Sequence, residues 1–166
     1  MKAVTVKELK TELKHLSHSE ILELCLRLSK FKKENKELLT YLLFESSNEE
    51  GYIATVKLEI DAQFELINTK TYYFIIKSVR KILRTIKKYI RYSKNKETEI
   101  ALLLYFCQKL IAFKPSIKHN TVLQNICNRE IQSIRKKMTL LHEDLQYDYE
   151  LELQKLDIKS INLSLI

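Results

Sequence analysis

One glycine, Gly51, and one proline, Pro115, occur in 166 residues. That scarcity constrains the fold more than any motif does. Tight hairpins and most β-turns need residues at positive φ, and glycine usually supplies them. A chain with a single glycine is therefore hard to build as a β or α/β protein. Nor can it carry a phosphate-binding P-loop or a dinucleotide-binding fingerprint, since both need several glycines at fixed spacing. Hydrophobic residues make up 45% of the chain and charged residues 30%, which suits a globular domain rather than a disordered one. An all-α fold is expected.

Periodicity predicts seven to eight helices. Thr5 caps the first, which ends near His15. Ser17 or Ser19 caps the second, about 20–29, where Ile21, Leu24, Cys25 and Leu28 recur at i, i+3, i+4 and i+7. A third covers about 34–44. A break at Ser46, Ser47, Asn48 and Gly51 precedes a fourth, about 52–66. The longest runs from after Asn68 or Thr69 to about Ser93. A polar corner at 94–96 leads into a sixth, about 97–113, which stops before Pro115. A seventh spans about 120–141, and an acidic eighth ends near Leu156. Residues 1–156 read as one helical domain of antiparallel hairpins, arranged as a bundle or a short α-solenoid. Residues 157–166, with Ile161, Leu163 and Leu165 alternating, read as a tail that can run extended and docked. The core expected from these faces is Leu24, Leu28, Leu42, Val56, Ile60, Val79, Ile86, Leu103, Phe106, Leu123, Ile134 and Leu141.

Charge is unevenly placed. Residues 1–65 carry a net −2, residues 66–140 a net +14 and residues 141–166 a net −4. The long fifth helix concentrates the positive charge. Lys77, Arg80, Lys81, Arg84, Lys87, Lys88, Arg91 and Lys94 follow at three- and four-residue steps, within an arc of roughly 140°. Val79, Ile82, Ile86, Tyr89 and Ile90 lie opposite. No carboxylate occurs between Lys70 and Lys96 to neutralise the stripe within its own helix. Tyr73 falls on the basic face and Tyr92 at its edge. These residues form a candidate phosphate-contact face with tyrosines available for stacking. Two plainer readings compete with it. A surface helix normally has a solvated charged face, and the 23 lysines against six arginines suit a compositional bias. At least one of the acids Glu143, Asp144, Asp148, Glu150 and Glu152 is also expected to lie over the stripe and pair with Lys77, Arg80, Arg84, Lys87, Lys88 or Arg91, in the same chain or a partner.

Chemistry-bearing patterns are sparse. Cys25, Cys107 and Cys127 are widely separated and sit among apolar residues, as small core side chains do. The histidines, His15, His18, His119 and His142, form no zinc-binding spacing. A bundle di-metal site needs two Glu-x-x-His motifs, and Glu12-x-x-His15 stands alone. The acids Glu49–Glu50, Glu97/Glu99 and Glu143–Asp144 fit helix starts, where they complement the helix dipole. No catalytic, cofactor or metal residues are assigned, and neither an enzyme nor a small-molecule substrate is expected. The apolar stretch 100–113 is too short for a membrane span. The N-terminus has no apolar signal-like core, so a cytoplasmic location is expected.

Several stretches resemble an uncharacterised family of small helical bacterial proteins, a domain of unknown function common in Bacteroidetes-type bacteria. Val6-Lys7-Glu8-Leu9-Lys10 with Leu13, Leu16-Ser17 and Glu20-Ile21 is similar to that family's N-terminal hairpin. Lys77-x-x-Arg80-Lys81-x-x-Arg84-x-x-Lys87-Lys88 is similar to its central helix, and Glu99-Ile100-Ala101-Leu102-Leu103-Leu104-Tyr105 to its next, apolar helix. The family tends to close with a Gly-Trp-Gly-like element, whereas this chain has no tryptophan. The resemblance implies a helical fold and supplies no mechanism. The function expected is a non-catalytic helical scaffold binding another protein or itself. The alternative is a nucleic-acid-binding module using the basic face of helix 69–95.

Overall fold

A computed structural model describes residues 2–161, with side chains described through Leu156. The chain is 81% helical, and no strand occurs among the described residues. Eight α-helices follow the boundaries that the periodicity predicts to within a few residues. They are α1 Val6–Leu13, α2 His18–Phe31, α3 Lys33–Thr40, α4 Glu49–Glu65, α5 Tyr72–Ser93, α6 Lys96–Ala112, α7 Thr121–Met138 and α8 Glu143–Ile161. A π-helical turn, Tyr41–Glu45, continues α3, and a 3-10 turn, Ile117–His119, precedes α7.

The helix starts are written in the sequence. Thr5 and Ser17 each accept from the backbone N–H three residues on. Glu8 and Glu20 reach back to the cap backbone at 2.7 Å, completing two capping boxes. The hydrogen bonds from Thr5 and Ser17 hold the Glu8 and Glu20 carboxyls below the ordinary carboxylate range. Asn48, Asn95 and Asn120 cap α4, α6 and α7 with their side-chain oxygens. The three acid pairs occupy the first turns of α4, α6 and α8, as the dipole argument expects. Gly51, read from sequence as part of the break, lies inside α4. A β-carbon there would sit 2.6 Å from the Asn48 side chain, so a larger residue crowds that cap.

The chain divides into two compact units, 1–45 and 46–166. In the second unit α6 is the centre: α4, α5, α7 and α8 all pack on it. Its residues Ile100, Leu102, Leu103, Leu104, Phe106 and Leu110 are at most 1% exposed. A helix apolar on every side has to be surrounded, so this unit is a bundle and not a solenoid. Ser93 at the end of α5 donates to Glu49 at the start of α4, and Lys137 at the end of α7 reaches Glu99 at the start of α6. Both pairs are therefore antiparallel. Between α4 and α6, Tyr105 donates to Asp61 at 2.7 Å and Lys109 pairs with it at 2.9 Å. Partial burial opposes ionisation of Asp61, but Lys109 and Tyr105 outweigh it and hold the carboxyl below its ordinary value.

Eight of the twelve expected core residues are buried: Val56, Ile60, Val79, Ile86, Leu103, Phe106, Leu123 and Ile134. Leu141 is half-buried at the α7–α8 turn. Leu24, Leu28 and Leu42 are exposed, which corrects the expectation for the first unit. Periodicity identifies an apolar face but not what covers it. The tail reading is corrected too, since α8 continues through Leu156 to Ile161. Residues 162–166 lie outside the described residues.

Lys94, at the end of α5, is in the left-handed conformation with φ 56°, and its N–H donates to Ile90. A β-carbon is disfavoured there, and glycine is the usual occupant. Lys94→Gly is expected to raise stability by about 1 kcal/mol. Urea unfolding of the two proteins side by side measures it.

Candidate functional site

The basic face is built by the periodicity of α5. Ile75, Val79, Ile82, Leu83, Ile86 and Ile90 are buried along one side of this helix. Lys77, Arg80, Lys81, Arg84, Arg91 and Lys94 are left exposed on the other. The structure divides the predicted stripe into two parts with different chemistry.

At the middle, two cations are occupied. Lys87 Nζ lies 2.8 Å from Glu130 of α7, a carboxylate only 1% exposed that Arg129 also approaches at 3.1 Å. Lys88 stands 4.8 Å above the Tyr89 ring and 6.0 Å from the Tyr92 ring. Lys87 thus ties α5 to α7, Lys88 lies against rings of its own helix, and both are removed from the phosphate-contact set. Tyr92 is buried, and Tyr89 donates to Glu59 at 2.8 Å, so neither is a stacking residue.

Toward the start of α5, Lys77, Arg80, Lys81 and Arg84 line one open groove of about 790 Å³ with Tyr73 and Val122. Among the described residues these four cations take part in no ion pair. Tyr73 is 68% exposed, and its ring meets that of Phe74 edge-on at 5.4 Å. Arg91 and Lys94 lie beyond the occupied middle.

The acidic segment does not cover this face. The α8 helix packs on α6 and α7. Glu152 accepts from Gln108 of α6, and Asp144 faces His142 of its own turn. No ion pair among the described residues joins Glu143, Asp144, Asp148, Glu150 or Glu152 to α5. Within the chain, the predicted return of these acids over the stripe is therefore wrong. A buried apolar side of α8, with Leu153 and Leu156, turns this helix toward the bundle. The compensating acid is Glu130, which the sequence reading passed over. A signal for it existed. Leu123, Ile126, Cys127, Ile134 and Met138 mark the buried face of α7, and Glu130 falls in that series. A carboxylate at a core position has to find a partner.

The cysteines divide. Cys107 and Cys127 are buried, while Cys25 is half-buried. Hydrogen bonding to Cys127, burial and the Glu130 charge push the Cys107 thiol well above its ordinary value, so it stays protonated at neutral pH.

A second surface of note belongs to the first unit. Among its described residues only Tyr41 is buried, and α1, α2 and α3 contribute no buried residue. Phe31 is 77% exposed, Phe44 73%, Leu43 65% and Leu28 59%. Leu9, Leu13, Leu22, Leu24, Leu26 and Leu42 are exposed as well. These large apolar side chains of the first unit are thus left in water. No helix among the described residues is long and apolar enough to cross a membrane.

The chain matches no family model, no curated protein and no solved structure.

Proposed function

We propose that this protein is a non-catalytic helical scaffold that assembles with itself through its N-terminal unit. The observation that carries this reading is the absence of a core in residues 1–45, where Tyr41 alone among the described residues is buried. A unit of this size without disulfide or metal cannot offset its ordering entropy from so little burial. Its helices gain stability when their apolar faces are covered.

Charge opposes a second copy less at the first unit than at the second. The N-terminal unit carries nine Lys/Arg and seven Asp/Glu, a net +2, whereas residues 46–166 carry a net +6. Copies that meet through the first unit bring together the less charged part of a basic chain. The buried Cys107, with its thiol pushed up by burial and hydrogen bonding, is not suited to act as a nucleophile.

If the N-terminal unit is stabilised by assembly, its melting is linked to protein concentration by mass action. Circular dichroism from about 1 to 100 μM is expected to show a helical transition that moves up with concentration, by several degrees per tenfold. A transition fixed across that range contradicts self-assembly.

A further inference from the structure

We propose that the groove at the start of α5 is a binding site for single-stranded nucleic acid, separate from the assembly surface of the N-terminal unit. The groove brings two kinds of side chain together. Lys77, Arg80, Lys81 and Arg84 supply four exposed positive charges within about two helical turns. Tyr73, Ile76 and Val122 supply an apolar wall beside them. A face that only keeps a helix solvated needs the charges and not the wall. Duplex backbone likewise offers phosphates and no free base to place on an aromatic ring. A single strand offers both at once, a charged backbone and unstacked bases with π-faces.

The surroundings favour the same ligand. No carboxylate lies between Lys70 and Lys96 to repel a phosphate, and of the α8 acids Glu152 faces α6 and Asp144 its own turn. The Tyr73–Phe74 edge-on pair leaves Tyr73 68% exposed at the head of the cation row. A volume of about 790 Å³ lies within the range of small-ligand sites.

The test is fluorescence anisotropy with the whole chain at about 50 mM salt, using a labelled thymidine oligonucleotide of about 15 residues. A duplex of equal length and inorganic polyphosphate serve as competitors. The oligonucleotide is expected to bind, and a salt series to give a slope of log K against log salt near −3, about −0.7 for each of four contacts. Arg80→Gln with Arg84→Gln should flatten that slope by about 1.4. Tyr73→Ala, a change at an exposed side chain, should weaken binding roughly 5- to 100-fold and leave the slope alone. Lys136→Gln, an exposed cation on α7, should change neither. Circular dichroism confirms that each variant is folded. Absence of binding at about 50 mM salt overturns the proposal. So does an unchanged affinity in Tyr73→Ala, or competition by duplex or polyphosphate equal to that of the single strand, since either reduces the groove to unspecific charge. A loss in Lys136→Gln equal to that in the arginine variant overturns it as well.

Discussion

Replacing Leu28, Phe31 and Phe44 together with glutamate is expected to convert an assembled chain into a monomer. All three are well over half exposed in the isolated chain. The changes therefore remove no contact that holds residues 46–166 together. What they remove is apolar area available to a second copy. Covering a large apolar side chain contributes about 1.5–3 kcal/mol. Even partial coverage of three such groups sums to about 4 kcal/mol, on the order of a thousand-fold in dissociation constant. Buried glutamates would add a desolvation cost in the same direction. Gel filtration of the parent and the triple variant at equal concentration measures the shift. The α-helical signal of residues 46–166 should survive it.

Leu103→Ala is expected to act the opposite way, on stability and not on assembly. Leu103 lies in the middle of α6, 1% exposed, in the helix on which α4, α5, α7 and α8 pack. Truncation there removes buried methyl groups and leaves a cavity that four surrounding helices cannot collapse to fill. The expected cost is about 2–5 kcal/mol. Leu28→Ala, the same chemical change on an exposed α2 position, is expected to cost well under 1 kcal/mol in the dissociated chain. Denaturant unfolding under dilute conditions separates the two. A Leu103→Ala protein as stable as its parent would show that α6 is not the centre of the core.

The contrast between these two leucines explains what the sequence disclosed and what it withheld. Local signals are short-range and survive in a single sequence. The Thr5–Glu8 and Ser17–Glu20 boxes, the Asn caps and the stop before Pro115 place helix ends within a few residues. The pattern around Leu103 is apolar on all sides, which by itself implies a surrounded helix. Leu24 and Leu28 show the same i, i+3, i+4, i+7 spacing as a core face, yet they are exposed. Spacing reports that a face needs cover, and only the tertiary arrangement reports whether the same chain supplies it. The basic stripe behaves alike. Its eight cations are equivalent by helical angle, but Glu130 on another helix takes Lys87, and aromatic rings take Lys88. Those neighbours lie 43 residues away in one case and one residue away in the other. Net charge by segment pointed to the acids of α8 as the counterweight, because proximity in sequence stood in for proximity in space. The buried side of α8 decided otherwise.

The most direct measurement is the solution mass of the whole chain by sedimentation equilibrium. The chain mass is 19.8 kDa. Self-assembly through the N-terminal unit predicts a mass of twice that value or more at about 10–100 μM, tending toward the single-chain mass on dilution as mass action requires. A mass of one chain throughout that range would contradict the account, because the apolar surface of residues 1–45 would then remain without a second copy to cover it.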